Sequence, residues 1–409
     1  MSLAKFQDAL AQSGYTKLPQ TTVDFLSQKV QNERFSFQQI RQILDMAMDF
    51  HMWQGENIES LWPIDAQNAF ETLRKYWLTC KESPRDYGSS PAKYKGETIQ
   101  LQAKPKDSLG LGRCPVASPK TRCCNLMTLD AVESCGFDCS YCAVQSFYNE
   151  GTVEFDTNFA QKLRNLAIEP NKTYHIGTGQ SSDSLMWGNR EGIMDALFEF
   201  ASSHPNVILE LKTKSDNIDY LLKNPIPSNI ITTWSLNPQS VIDHEEHRTA
   251  SLEARLNAAK AIANKGNLVG FHFHPMVYHD GWEEAYGQIA QQLIADFDPS
   301  CVALVSMGAL TFIKPVIKKL RRRAMPSKIL QMPLAQINGK FSYTTAQKQM
   351  LFSSLYRAFS PWHVRVFFYM CMEEIELWER VFGYEYPDND ALEIAMCEAY
   401  KAKIAGVKK

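Results

Sequence analysis

Three cysteines stand close together in the segment Glu133-Ser-Cys135-Gly-Phe-Asp-Cys139-Ser-Tyr-Cys142. Thiolates are the usual ligands of iron–sulfur clusters, commonly four to a cluster. Three in so short a stretch can wrap three irons of one cube and leave the fourth iron open to a non-protein ligand. An open coordination position is what a catalytic metal centre keeps and a structural one closes. The competing reading is zinc, which asks for a fourth Cys or His; Cys123 or Cys124 could supply it. The three-then-two spacing of the loop favours the cluster.

The rest of the composition sets bounds. The chain has 409 residues, 44% of them hydrophobic and 22% charged, with a net charge of −2. Such numbers describe an ordinary soluble globular protein of two or three domains, although a barrel commonly runs longer as one unit. Any nucleic-acid footprint must then be a local patch. The first residues, MSLAKFQDALAQSG, lack an uninterrupted apolar run, so no secretory leader is expected. No apolar stretch reaches the ~18 residues of a membrane span. Ten cysteines in so long a chain do not make a disulfide framework. A reducing cytoplasmic location is expected, where closely spaced cysteines mean metal or redox chemistry.

The elements that must position this loop can be read from periodicity. Residues 1–82 read as a helical N-terminal extension. Ser36 and Gln39 form a capping box ahead of Phe37, Ile40, Ile43, Leu44 and Ala47. Pro63 suits a first helical position, with Ala66, Phe70, Leu73 and Trp77 on one face. Residues 83–120, rich in Ser-Pro and Lys-Pro pairs, read as a linker or wrapping segment. From 121 to about 310, strand-like runs near 122–129, 173–178, 207–213, 230–236, 268–277 and 301–306 alternate with helical ones. In 251–265, Leu252, Leu256, Ala259 and Ile262 share a face and Gly266 follows as a stop. Alternating short apolar strands and helices predict a parallel sheet with outer helices. Six units predict a partial parallel (β/α)6 barrel, with the cysteine loop at the C-terminal mouth where such folds place ligands. Residues 311–409 read as a C-terminal mixed α/β region in which 363–370 extends the sheet.

The C-x3-C-x2-C loop, with the aromatic Tyr141 before the last cysteine, resembles the signature of the radical S-adenosylmethionine (SAM) superfamily. The resemblance implies that the open iron of a [4Fe-4S] cluster binds SAM. The reduced cluster then cleaves SAM to a 5′-deoxyadenosyl radical that abstracts hydrogen from a substrate. A reductant such as flavodoxin or ferredoxin is implied as partner. Four further segments narrow the match: Gly177-Thr-Gly-Gln-Ser-Ser-Asp-Ser-Leu185, Leu211-Lys-Thr-Lys-Ser-Asp-Asn-Ile-Asp219, Thr233-Trp-Ser-Leu-Asn237, and Val269-Gly-Phe-His-Phe-His-Pro275 followed by Gly281-Trp282. In this order they resemble the spore photoproduct lyase family, over about 121–300 well and 301–385 weakly.

That resemblance implies roles residue by residue. Ser182 and Asp183 contact the adenosyl part of SAM. Lys214 and Ser235 contact its carboxylate and ribose region; a lysine at a strand end is a sensible carboxylate partner. Gly177 and Gly179 let backbone approach the ligand. Two positions depart from the family. Its lyase has a hydrogen-donor cysteine where this chain has Gln180, and a tyrosine after the last cluster cysteine where this chain has Ala143. An amide has no easily transferred hydrogen atom, so strict spore photoproduct repair is not expected. Cys301 is expected at the wrong end of the sixth strand to replace that donor, and Cys123 and Cys124 lie on the first strand.

Other residues leave alternatives open. His272 and His274 alternate with phenylalanines, so both face one side of a strand. There they either meet SAM or substrate, as His274 would, or form a buried hydrogen-bonded pair. The run Lys314–Arg323 carries Lys318, Lys319, Arg321 and Arg322. It is either a solvated helix face or a patch that tracks phosphates of DNA or RNA. Phe341 and Tyr343, downstream, either stack on bases or are strand core. The function expected is radical SAM chemistry on a nucleobase. The alternatives are a small-molecule or protein substrate, an iron–sulfur protein without catalysis, or a zinc-stabilised binding module.

Overall fold

Seven strands form one continuous parallel run, in chain order across the sheet: β1 (Met127–Asp130), β2 (Tyr174–Thr178), β3 (Val207–Thr213), β4 (Ile230–Ser235), β5 (Leu268–Met276), β6 (Val302–Ala309) and β7 (Phe367–Met370). This is a computed structural model, and it describes residues 2–64, 68–82, 85–88, 91, 94–96, 98–113, 120–143, 147–148, 151–337 and 339–407. The strands are apolar on both faces because helices cover one side and the barrel interior the other. Ile208, Leu209 and Leu211 in β3, and Val302 to Val305 in β6, are fully shielded. Each strand pairs in parallel with its sequence neighbour, as Ile230 with Leu209 and Ile231 with Leu268. The sheet is therefore the expected partial barrel, with β7 extending it beyond the sixth strand.

The outer helices obey the periodicity that predicted them. The helix Leu252–Asn264 starts at Ser251, whose Oγ accepts the Ala254 N–H at 3.1 Å. It buries Leu256, Ala259 and Ile262. At the other end of the chain, α1 (Ser2–Ser13), α2 (Gln20–Asn32), α3 (Phe37–Trp53), α4 (Ile58–Leu61) and α5 (Ala69–Glu82) make the N-terminal helical unit. The capping box holds: Ser36 Oγ accepts from Gln39 N and Gln39 Oε1 accepts from Ser36 N. Pro63 does not start a helix; it lies between α4 and α5, which begins at Ala69. Ala66 and Cys114 lie outside the described residues.

Three readings change. The segment 83–120 is not only a connection. Gly110–Arg113 pairs antiparallel with β1 and closes that edge of the sheet, and Gln100–Lys104 pairs with Thr152–Asp156. The strand Gln-Leu-Gln-Ala-Lys is exposed along its whole length, so its short alternation marks no buried face. Cys123 and Cys124 are not on the first strand but in the turn before it, after the short strand Thr121–Arg122. Finally, the basic helix Lys314–Arg323 is not only a solvated face. Arg321 grips the buried Asp49 of α3 through Nε (2.7 Å) and Nη2 (2.8 Å), with Asp45 3.3 Å from Nη1. Arg322 donates to the Ser13 carbonyl. These two arginines dock the N-terminal unit onto the barrel, and Lys318 remains exposed. Tyr343 is core, its hydroxyl accepting from Tyr278 N at 2.9 Å, and Phe341 sits in the hairpin strand Lys340–Ser342.

Candidate active site

The loop after β1 carries the three cysteines, and backbone geometry fixes it on two sides. Asp138–Cys139 pairs antiparallel with Glu246–His247, so Glu246 stands opposite Cys139. On the other side the loop presses against Met186 and Trp187. A Cβ at Gly136 would lie 2.4 Å from Met186 Cε and 2.8 Å from Trp187 Cη2, so a larger residue there would force these two side chains to shift. Cys135 Sγ is 4.0 Å from Met186 Sδ.

Cys135, Cys139 and Cys142 all line one cavity of about 390 Å³ at the C-terminal mouth of the barrel. Burial, followed by the charges of Asp183 and Cys142, pushes the Cys135 thiol well above its ordinary range. Burial does the same to Cys139, with Glu246 and Cys142 adding to it. Thiolates sharing a buried site without a cation repel one another; iron would relieve that repulsion, so the residues fit a cluster. Among the described residues no three Cys, His, Asp or Glu side chains converge on a single-ion site. A cube needs thiols around a cavity rather than around a point.

The residues assigned to SAM gather at the same cavity. Tyr141, Gly179, Ser182, Asp183, Lys214, Ser235 and His274 line it, as does Gln180. Gly177 stands two residues back, within β2, and is not among the residues that line the cavity. Gly179 has φ +84°, and a Cβ there would meet the Lys212 carbonyl at 2.6 Å. Asp183 works as a clamp. Its Oδ1 accepts from Leu185 N, Met186 N and Thr213 Oγ1, and its Oδ2 from Lys214 N at 2.7 Å. It thereby ties the β2 loop to the end of β3 and sets the position of Lys214. Ser182 Oγ accepts from the Trp187 indole at 3.1 Å.

Lys214 reaches Tyr141 Oη at 2.9 Å and Glu246 Oε1 at 3.2 Å. Tyr141 donates its own proton to the same carboxylate. Glu246 also accepts from Asn237 (2.8 Å) and, through Oε2, from the buried Arg255 (2.6 Å). Burial alone would raise the Glu246 pKa, but Lys214 and Arg255 hold it down at about 2. Arg255 additionally donates to the Ser235 carbonyl at 2.8 Å, steadying the end of β4. The neighbouring Glu245 accepts from Ser140, Tyr87, Ser327 and the Lys328 N–H, joining the cluster loop to the wrapping and C-terminal segments.

Sequence reasoning missed Glu245, Glu246 and Arg255. The only signal was the charged run Asp243-His-Glu-Glu-His-Arg248 between β4 and its helix, which reads as a solvated turn.

The two histidines take both of their possible places. His272 is buried, bonded to Glu210 Oε1 (2.6 Å) and Ser306 Oγ (2.5 Å), and Glu210 also takes His175 (2.9 Å). His274 lies 5.6 Å away, ring to ring, at the cavity wall. One further thiol was missed. Cys371 follows β7 and lines the same cavity. Its signal was its place directly after the strand-like run 363–370. Cys301 stands at the N-terminal end of β6, donating to the Asp298 carbonyl.

The family model of spore photoproduct lyase matches residues 128–352, more than half of the chain. The spore photoproduct lyase of a Geobacillus species is 26% identical over 202 residues, covering 48% of this chain and 59% of that protein. That of Bacillus subtilis is 33% identical over 87 residues, covering 21% and 25%. The chain thus spans a little over half the length of the first relative and less of the second. Among solved structures, spore photoproduct lyase complexed with dinucleoside spore photoproduct aligns over 66% of this chain and 82% of its own, with 20% identity and a TM-score of 0.55. A mutant of that enzyme with bound AdoMet and dinucleoside spore photoproduct gives a TM-score of 0.54. The residues that the family model covers run from β1 through the cysteine loop into the helix Thr345–Ala358, and they include Cys135, Cys139, Cys142 and the cavity-lining Ser182, Asp183, Lys214, Ser235 and His274. This chain belongs to the spore photoproduct lyase family of radical SAM proteins.

Proposed function

We propose that this chain is a radical SAM enzyme that abstracts hydrogen from a nucleobase in DNA or RNA. It would hold a [4Fe-4S] cluster on Cys135, Cys139 and Cys142. The observation that carries the reading is the convergence of these thiols with Lys214, Ser182, Asp183 and Ser235 on one cavity at the barrel mouth. When bound, the cluster and SAM supply a carbon radical strong enough to take hydrogen from an unactivated carbon. The protein's part is to position them and keep out competing reactions.

Lys214 offers its ammonium to the SAM carboxylate from a place fixed by Tyr141 and Glu246. Asp183 holds the backbone on which Lys214 stands. His274 and Gln180 line the side on which the substrate enters. Support for a nucleic-acid substrate comes from the dinucleoside held by the solved relatives. The basic helix adds little to that support, because Arg321 and Arg322 are engaged within the fold.

Gln180 cannot return a hydrogen atom, and Ala143 lacks a phenol. Cys371 is the thiol, apart from the three ligands, that lines the cavity. In this reading it gives the hydrogen atom to the substrate radical and becomes a thiyl. One electron from a flavodoxin- or ferredoxin-type reductant, with one proton, restores the thiol. The protein would work in the cytoplasm. No described helix is long and apolar enough to cross a membrane. The test is anaerobic reconstitution followed by SAM-cleavage assays with DNA, lesion-containing DNA and RNA. Stimulation by a nucleic acid supports the reading, and indifference to all three removes the nucleobase substrate.

A further inference from the structure

A second cavity, of about 540 Å³, lies between the N-terminal helical unit and the barrel and shares no lining residue with the candidate active site. Its most unusual wall residue is Arg85, which is only 4% exposed. Arg85 Nε and Nη2 have no hydrogen-bond partner. Burial pulls this guanidinium down to about 10, and the groups that oppose the shift are Cys80, Tyr87 and Tyr343, none of them a carboxylate. A buried charge left without a counter-ion is among the costliest arrangements a fold can keep.

The two unpaired atoms form one edge of the guanidinium, the edge that grips an oxyanion side-on. Elsewhere among the described residues that edge holds a carboxylate. Arg164 gives Nε and Nη2 to the two oxygens of Glu199, each at 2.9 Å. Arg321 gives the same pair to Asp49. At Arg85 no oxygen of the described residues takes that place.

Other unpaired groups line the same cavity. Trp53, 5% exposed, has a partnerless indole N–H. His244 donates Nδ1 to the Ser240 carbonyl, and the His247 ring bonds the Pro326 carbonyl. The Nε2 atom of each is buried without a partner. Tyr76 and Phe50 supply aromatic walls. The acidic side chains present, Glu56 and Asp86, are turned to the Tyr76 hydroxyl and the Gly88 N–H.

From this set we infer that the cavity binds a small aromatic phosphate monoester. The Arg85 edge and the Trp53 N–H donate to its charged oxygens, and the ring lies against Tyr76 and Phe50. A carboxylate would satisfy the arginine edge with its two oxygens but has no third oxygen for the indole N–H, which a phosphate group has.

The test uses the full-length protein, calorimetry and thermal unfolding, with phenyl phosphate, inorganic phosphate, benzoate and phenol as probes. Phenyl phosphate is expected to bind and raise Tm, inorganic phosphate and benzoate to bind more weakly, and phenol not to bind. Arg85→Met should lower phenyl phosphate affinity roughly tenfold or more. It should also leave the ligand-free Tm unchanged or higher, because it removes an unpaired buried charge. A structural arginine would lower it. If Arg85→Met does not fold, Trp53→Phe keeps the ring, removes one donor and should weaken binding severalfold. Absence of binding by every oxyanion, tighter binding of benzoate than of phenyl phosphate, or undiminished affinity in the variants would overturn the assignment.

Discussion

Glu246 stands opposite Cys139 across a two-residue antiparallel ladder, and its carboxylate is shared by Lys214 on one oxygen and Arg255 on the other. One carboxylate therefore anchors the cluster loop, the lysine assigned to SAM and the helix after β4.

Removing that charge should be expensive. Glu246→Gln leaves Arg255 buried without its partner, a change that costs about 3–5 kcal/mol. The acid dependence has a definite sign. The folded-state pKa of about 2 lies below the ordinary value of 4.5, so the pairing stabilises fully above that ordinary range and is lost as pH falls through about 2. Urea unfolding between pH 2 and 6 should show a shallower acid slope in Glu246→Gln than in the parent. An identical slope would mean that the carboxylate titrates no differently in the unfolded chain.

A docking role for the basic helix gives a contrast within one turn. Arg321→Gln strands the buried Asp49 and should destabilise by about 3–5 kcal/mol. Lys318→Gln, at an exposed position, should change stability by less than about 0.5 kcal/mol. If Lys318 touches phosphate, its loss lowers the salt slope of nucleic-acid binding by roughly 0.7–0.9. Equal stability losses in the two variants would contradict the docking role.

The barrel was legible because its strands are apolar runs whose neighbours in sequence are neighbours in space. The cluster loop was legible because its three ligands sit within one short segment. What failed to show were partnerships between distant residues. Arg321 reads as one more charge in Lys-Lys-Leu-Arg-Arg-Arg, and only Asp49, some 270 residues earlier, makes it structural. Arg255 falls among apolar neighbours on a helix and reads as an ordinary surface charge until Glu246 is placed over it. Gln100–Lys104 is a strand by pairing alone. Cys371 carries no local motif; only the closure of β7 onto β6 brings it to the cavity.

Cys371 can be tested by where hydrogen comes from. A thiol exchanges with solvent, so turnover in heavy water should place deuterium in the product. Cys371→Ala should lose that label and cleave SAM with less product formed per event. Undiminished solvent deuterium in Cys371→Ala would remove this residue as donor.

Because both Gln180 and Ala143 depart from the lyase pattern, the unmodified protein should convert spore photoproduct to two thymines poorly or not at all. Gln180→Cys should not by itself create an efficient lyase, since Ala143 stands directly after Cys142 where the lyase has a tyrosine. Efficient, clean repair by the unmodified protein, measured by chromatography of the dinucleoside products, would show that the Gln180 position does not govern the outcome.

The most direct test of the central assignment is the iron content and SAM cleavage of the anaerobically reconstituted, reduced protein, compared with its Cys139→Ala, Cys80→Ala and Cys397→Ala variants. The account predicts four irons and 5′-deoxyadenosine formation in the parent and in the Cys80 and Cys397 variants, and neither in Cys139→Ala. Full SAM cleavage by Cys139→Ala, or zinc in place of iron in the parent, would contradict it.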